Sequence, residues 1–111
     1  MSNIKSNVYP ADVRRDNYGW WVHPAYAAFC DNRDFVDFSE FEGWLKANSL
    51  EWTYRLLDTE NACSAAAREY VCFGTLTNWK PEPPKGEGWF VCSIHVCDDG
   101  PICIWLRRVT H

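Results

Sequence analysis

The chain has 111 residues, of which 47% are hydrophobic, 16% aromatic and 23% charged, and its formal net charge is −4. This length allows one hydrophobic core, and the composition excludes a disordered chain, because disorder combines low hydrophobicity with high net charge. The negative charge also argues against a general affinity for nucleic acid, since phosphate binding depends on clustered lysine and arginine. We therefore predict a single domain over residues 1–111, with residues 1–8 disordered.

The N-terminal third is interrupted by Tyr9-Pro10, Gly19 and His23-Pro24, so we predict ordered coil with short strands that packs onto the core through its aromatic residues. A helix is favoured from Pro24 to Cys30. Alanine favours helix in this segment, and proline is tolerated in a first helical turn.

The clearest helix is predicted to begin at Ser39. The residues Ser39–Glu42 fit a capping box, in which the serine hydroxyl and the glutamate carboxylate satisfy backbone amides at the helix start. Phe41, Trp44 and Leu45 follow at the spacing of one helical face, which ends near Asn48.

A strand is predicted next. Glu51–Leu57 alternates polar and apolar side chains at a two-residue period, so Trp52, Tyr54 and Leu56 are expected to face inward. The alternation is typical of a half-buried strand.

A further helix is predicted over Asn61–Phe73, which has an alanine-rich middle. Asn61 or Thr59 is expected to cap its start, and Gly74 is placed to end it. The proline-rich segment Trp79–Trp89 that follows is predicted to be a loop, because proline removes the donor that helices and central strands need.

The last segment is predicted to be a hairpin of Trp89–Cys97 and Ile102–Val109 around an Asp-Gly turn. Pairing Cys97 with Ile102 places Phe90 on the face of Trp105 and makes both faces largely apolar. Such a hairpin is either sandwiched between layers or exposes one side to a partner, and its edge suggests a homodimer.

These elements together predict an α+β fold, with an antiparallel sheet of about 3 to 5 strands that ends in a C-terminal hairpin and packs with about two helices. The chain lacks the run of about 18 to 20 uncharged apolar residues that a membrane span requires, and its start lacks the apolar stretch of a secretory signal. We expect a cytoplasmic protein without membrane contact. Its cysteines lie in apolar segments and are expected to be reduced and buried: Cys30, Cys63, Cys72, Cys92, Cys97 and Cys103.

No catalytic or metal-binding motif stands out. Cys92, His95 and Cys97 lie on one strand, where Cys92 points away from the other two, so the three side chains do not converge on a metal. A cysteine nucleophile paired with His95 would need an oxyanion-binding motif that the sequence does not show. We expect no enzyme activity, no metal and no cofactor.

Tryptophan suggests a contact surface. Trp20 and Trp21 are neighbours, so in an extended segment one of them faces away from the core, and Trp79 and Trp89 flank the proline loop. Exposed tryptophan beside arginine is the combination that carries interface energy. We predict a protein-binding surface formed by Arg14, Arg15, Trp20, Trp21, Trp79 and Trp89; the alternative is that the tryptophans clamp the loop to the body.

The acidic segment from Asp31 to Glu42 holds five carboxylates and only one basic residue. Such polarised charge favours oriented docking, and Asp34 and Asp37 are added to the predicted contact residues. The alternative is an ordinary solvated face.

Nucleic-acid binding is the second functional class. In that hypothesis, tryptophans stack on bases while basic side chains meet phosphate: Arg14, Arg15, Lys80, Lys85, Arg107 and Arg108. Phosphate contacts weaken steeply as salt rises, whereas an apolar protein interface weakens only slightly.

The last third of the chain resembles small accessory proteins of bacterial phages and prophages. The similarity lies in the pattern W-x-P-x-x-P-x-G-x-G-W-F over Trp79–Phe90, followed by Ile94-His95, Asp99–Pro101 and W-x-R-R over Trp105–Arg108. The resemblance implies a protein that modulates or inhibits a host or defence protein by binding it, and implies no catalytic residues.

Overall fold

The computed structural model of the chain describes residues 8–31, 36–59 and 64–109. Three helices and a four-stranded antiparallel sheet form the described part, which confirms the predicted α+β class with its C-terminal hairpin. In chain order the elements are β1 (Trp21–Val22), α1 (Pro24–Cys30), α2 (Phe38–Ala47), β2 (Leu50–Leu56), α3 (Ala65–Phe73), β3 (Phe90–Cys97) and β4 (Gly100–Arg108).

The β3–β4 hairpin lies in the middle of the sheet, whose strand order is β1-β3-β4-β2. β4 pairs with β2 from Ile102 to Arg108, and β3 pairs with β1 at Ser93 and Ile94. The hairpin therefore offers less free edge than we expected, and a homodimer through the hairpin stays a prediction.

The predicted register of the hairpin is wrong by two residues. Cys97 lies opposite Gly100 instead of Ile102, so the turn consists of Asp98 and Asp99 alone. Gly100 has a φ of 110°, a conformation that favours glycine immediately after the tight turn.

An irregularity between Val91 and Ser93 changes the faces of β3. Phe90 lies opposite Leu106 and not on the face of Trp105, because a bulge shifts the alternation by one residue. A strict two-residue period cannot reveal such a shift.

Apolar clusters cover both faces of the sheet, so the sandwiched alternative describes most of the hairpin. α1 and α2 pack on one face and α3 with the segment 76–79 on the other. The first cluster is built on Val8, Phe41, Leu45, Leu50, Phe90, Cys92 and Leu106. The second contains Ala66, Leu76, Trp79, Ile94, Cys103 and Trp105.

Coverage of β2 is incomplete. Leu50 and Trp52 pack beneath α2, but Tyr54 and Leu56, on the same face of the sheet, are exposed, contrary to the prediction that they face the core. The strand alternation is present, yet the first cluster reaches only to Trp52 along β2.

The helix boundaries are close to those predicted, but the caps differ. α1 spans the predicted residues, and α2 ends at Ala47 with Asn48 as its C-cap, close to the predicted end near Asn48. Asp37 caps α2 in place of Ser39, because its carboxylate accepts from the amide of Glu40 at 2.8 Å. Ser64 caps α3 in place of Thr59, Asn61 lies outside the described residues, and Gly74 ends the helix in the left-handed conformation.

The N-terminal segment joins the core at Val8. Its side chain is buried in the first cluster, and its carbonyl accepts from Arg108 at 3.0 Å. Val8 thus packs against the core, whereas residues 1–7 lie outside the described residues, so disorder of the N-terminal residues stays a prediction.

Two cysteines of the sheet, Cys92 and Cys103, are fully buried. Burial raises the pKa of Cys92 well above the ordinary range of a thiol and that of Cys103 to about 12. Both are free thiols, as are Cys30, Cys72 and Cys97; Cys72 is exposed, contrary to expectation, and Cys63 lies outside the described residues.

Within residues 8–31, 36–59 and 64–109, none of the helices has the length and apolar character required to cross a bilayer.

We expect Asp37→Ala to lower the free energy of unfolding by about 1 kcal/mol, the usual cost of losing an N-cap. Ser39→Ala is the matched control and should cost less, because the Ser39 hydroxyl only donates to the capping carboxylate. Urea denaturation of both variants measures the difference. Equal losses would contradict the assignment of Asp37 as the cap.

Candidate functional site

A tight turn over residues 16–20, here called the aromatic turn, precedes β1. The Asp16 carboxylate accepts from the backbone amides of Tyr18 and Trp20, both at 2.9 Å. The Gly19 amide donates to the Asp16 carbonyl, and the Asp16 amide donates to the Trp20 carbonyl. Aspartate favours such turns because its short side chain reaches amides a few residues ahead.

Two aromatic side chains project from the aromatic turn. Tyr18 is 62% exposed and Trp20 is 40% exposed. Their ring centroids lie 6.4 Å apart at an interplanar angle of 55°. The turn therefore presents a pair of aromatic rings to solvent.

Arg15 anchors the aromatic turn to the body. Its Nε donates to the Gly19 carbonyl at 2.8 Å, and its two terminal nitrogens donate to the carbonyls of Leu76 and Trp79. The Leu76 amide donates in return to the Tyr18 carbonyl at 2.7 Å. Burial lowers the pKa of Arg15, but an arginine stays protonated, so its donors remain available.

Gly19 allows the close approach of the two segments. Its φ is 84°, and a Cβ at this position would lie 2.4 Å from the backbone carbon of Leu76. Any larger residue would have to push the turn away from Leu76.

Glu69 organises the segment on which the aromatic turn rests. Its carboxylate accepts from the hydroxyls of Thr75 and Thr77 and from the amides of Thr77 and Asn78. Burial opposes ionisation, but these hydrogen bonds outweigh it and lower the pKa of Glu69 to about 2.

The structure brings some of the predicted contact residues to the aromatic turn. Arg14 is exposed directly before it, and Trp20 lies within it. Trp21 is half-buried in β1, with its ring edge-on to His23 at 5.9 Å. Arg15 adjoins the turn as an anchor whose donors serve backbone carbonyls.

Other predicted contact residues lie elsewhere. The expected exposure of Trp79 is wrong: it is 7% exposed, because it packs in the second cluster. Trp89 is half-buried and donates from its indole nitrogen to the Lys85 carbonyl at 3.0 Å. For these two, the alternative that tryptophans clamp the loop describes the packing.

Of the two acidic residues predicted to contact a partner, the structure describes only Asp37. The Asp37 side chain accepts from the first turn of α2, and Asp34 lies outside the described residues.

Sequence reasoning missed Asp16 and Tyr18. The available signal was the run Asp16-Asn17-Tyr18-Gly19, whose aspartate, asparagine and glycine are typical of a turn.

An open groove of about 720 Å³ lies beside the end of β4, lined by Pro10, Glu51, Glu87, Gly88, Phe90, Arg107 and Arg108. Arg107 makes a two-point contact with the Glu51 carboxylate and lies 4.4 Å above the Trp89 ring. Arg108 lies 4.6 Å above the Tyr9 ring. Both guanidinium groups thus have intramolecular partners.

A second pocket of about 340 Å³ brings His95 and Cys30 together with Val22, Tyr26, Ala27 and Ser93. His95 Nδ1 lies 3.0 Å from the Ser93 hydroxyl, and burial lowers the pKa of His95. A nucleophilic cysteine is activated at a helix N-terminus, whereas Cys30 is the last residue of α1. The residues that line the pocket include no carboxylate to orient the histidine.

Among the described residues, no cluster of three or more histidine, cysteine, aspartate or glutamate side chains is placed to hold a metal ion.

The chain matches no protein-family model, no curated protein and no solved structure. The aromatic turn is the site we favour, because it combines two exposed aromatic rings with a backbone held by several hydrogen bonds.

We expect Gly19→Ala to destabilise the fold more than Gly74→Ala. Both glycines have a positive φ, so each alanine costs about 1 to 2 kcal/mol of backbone strain. Only a Cβ at Gly19 meets backbone, whereas at Gly74 it meets nothing within 4 Å. Chemical denaturation compares the two, and similar losses would refute the tight docking of the turn.

Glu69 predicts a pH dependence of stability. Its pKa in the folded protein, about 2, lies below its ordinary value of 4.5, so the ionised carboxylate stabilises the fold above pH 4.5 and loses this effect as the pH falls toward 2. The difference in unfolding free energy between wild type and Glu69→Gln should therefore shrink over that range. Thr77→Val, which removes one donor, should give an intermediate profile by thermal denaturation. A difference that stays constant down to pH 2 would contradict the assignment.

Proposed function

We propose that the protein is a non-catalytic binding protein that docks a protein partner through the aromatic turn. The observation that carries the proposal is the exposure of Tyr18 and Trp20 on a backbone held by Asp16 and Arg15. Arg14 is exposed beside them. Tryptophan, tyrosine and arginine are the side chains that most often dominate the energy of protein interfaces.

The rigidity of the aromatic turn supports binding energetically. Association loses affinity when it must order a flexible loop, and a turn that is already hydrogen-bonded avoids part of that cost. Tyrosine and tryptophan add large contact areas with few rotatable bonds. Two such side chains beside an arginine form a small anchor of the kind that fills a pocket on a partner.

The partner we propose is a host or defence protein, which this protein modulates or inhibits by occupying its surface. This part of the proposal is supported by the resemblance of the last third of the chain to accessory proteins of phages and prophages. Binding alone suffices for such a role, and no catalytic residue is required of the chain.

The contacts of the basic residues favour a protein partner over nucleic acid. Arg15 donates to three backbone carbonyls, Arg107 is paired with Glu51, and Arg108 donates to the Val8 carbonyl. Three of the six basic side chains proposed to meet phosphate are thus already engaged within the protein.

The test is affinity capture from bacterial host lysate with wild type, Trp20→Ala, Tyr18→Ala and the control Phe73→Ala, at low and high salt. Phe73 is an exposed aromatic residue at the end of α3, outside the aromatic turn. We expect one protein to be retained at high salt by wild type and by Phe73→Ala. Loss of a hot-spot side chain costs 2 kcal/mol or more, so the turn variants should bind that protein about 30-fold more weakly when both are purified.

Nuclease treatment completes the design. Captured material that is lost in high salt and destroyed by nuclease would replace the proposal with nucleic-acid binding. Equal capture by wild type and both turn variants would also contradict the aromatic turn as the contact surface.

A further inference from the structure

β2 is an edge strand with a free side. Within the described residues, β2 pairs with β4 and with no other strand. A row of unpaired amides and carbonyls on such an edge is a template for another strand.

The hydrogen bonds at both ends of β2 show which backbone groups face the free side. The Leu57 amide donates to the Pro101 carbonyl at 3.0 Å, and the Ser49 carbonyl accepts from the Val109 amide at 2.8 Å. The backbone amide and carbonyl of successive residues in a strand point to opposite sides, so those of the odd-numbered residues of β2 face β4. The amides and carbonyls directed away from β4 belong to Leu50, Trp52, Tyr54 and Leu56.

The four side chains of these outward-facing residues are apolar or aromatic, and they range from buried at Leu50 to exposed at Tyr54 and Leu56. Tyr54 is 47% exposed and Leu56 43% exposed, and Phe38 at the start of α2 is 56% exposed. Trp52 links them, since its ring stacks on Tyr54 at 5.8 Å and lies 5.9 Å from Phe38. The edge thus combines backbone groups that face away from β4 with exposed apolar side chains at Phe38, Tyr54 and Leu56.

We propose that this edge pairs with β2 of a second copy of the chain in antiparallel orientation. Full overlap of Leu50–Leu56 places Thr53 opposite Thr53 of the second copy, on a two-fold axis. In this register each outward-facing residue lies opposite another outward-facing residue, which antiparallel hydrogen bonding requires.

The side chains are self-complementary in the same register. On the face of α2, Trp52 lies opposite Tyr54 of the second copy, and Leu50 lies opposite Leu56. On the other face, Glu51 lies opposite Arg55 of the second copy, and the two-fold axis forms this charge pair twice. Aromatic and opposite-charge pairs both stabilise antiparallel strands.

Neighbouring registers lose the charge match. A shift that preserves the hydrogen bonding would place Glu51 opposite Thr53 or Leu57 of the second copy. The Arg55 guanidinium donates to the Tyr54 carbonyl over a long distance of 3.4 Å. In the dimer this carbonyl accepts from an amide of the second copy, and the guanidinium contacts the Glu51 carboxylate of the second copy instead. Charge therefore selects the register with full overlap.

The dimer joins two four-stranded sheets into one continuous sheet. β1, which follows the aromatic turn, lies at the opposite edge of the sheet, so the dimer presents two aromatic turns. The dimer does not rest on the proposed function, because it uses different residues.

The experiment is sedimentation equilibrium of wild type, Arg55→Glu, Arg55→Gln and Glu51→Arg over a range of concentrations. We expect wild type to dimerise. Arg55→Glu places two carboxylates opposite one another at two sites and should raise the dissociation constant about tenfold, with a smaller effect for Arg55→Gln. Mixing Arg55→Glu with Glu51→Arg restores both charge pairs and should yield a heterodimer.

Amide hydrogen exchange by NMR provides an independent readout on the wild type, since Glu51→Arg also removes the contact with Arg107. The amides of Trp52 and Tyr54 should gain protection as concentration rises, whereas that of Thr53, which faces β4, should be protected throughout. A monomer at every concentration up to about 1 mM would overturn the proposal. So would a dimer that Arg55→Glu leaves unchanged, or edge amides without concentration-dependent protection.

Discussion

The β3–β4 hairpin is apolar on both faces, and the rest of the chain is arranged to cover it. α1 and α2 bury one face, while α3 and the segment 76–79 bury the other. A chain of 111 residues has little surplus for a two-sided core, because a small domain buries a limited share of its surface. Tyr54 and Leu56 of β2 stay uncovered, and β2 is an edge strand of the sheet.

The face of the sheet that α3 and residues 76–79 cover is held together largely by polar contacts between irregular segments. Arg15 donates to carbonyls of the aromatic turn and of residues 76–79. The Glu69 carboxylate accepts hydrogen bonds from residues 75–78. Buried or half-buried backbone groups need partners, and in these irregular segments two charged side chains supply them. The hydrogen bonds of Arg15 also hold the turn that carries Tyr18 and Trp20, so the same contacts stabilise the fold and position the proposed binding surface.

The two proposed surfaces lie at opposite edges of one sheet and use different physics. The aromatic turn offers preformed side-chain anchors, whereas β2 offers backbone groups and a self-complementary charge pair. A dimer would carry two aromatic turns, and two linked sites raise the apparent affinity for a partner that also presents two sites.

The sequence by itself determined the α+β class, the bounds of α1, the apolar face of α2 and the existence of the C-terminal hairpin. These features depend on local periodicity, on proline and glycine, and on helix-forming residues, all of which act between near neighbours. Only the tertiary structure decided the bulge in β3, the burial of Trp79, the exposure of Tyr54 and the anchoring role of Arg15. Each of these depends on contacts between segments distant in the chain, such as Arg15 with Trp79, and local patterns contain no information about which segments meet.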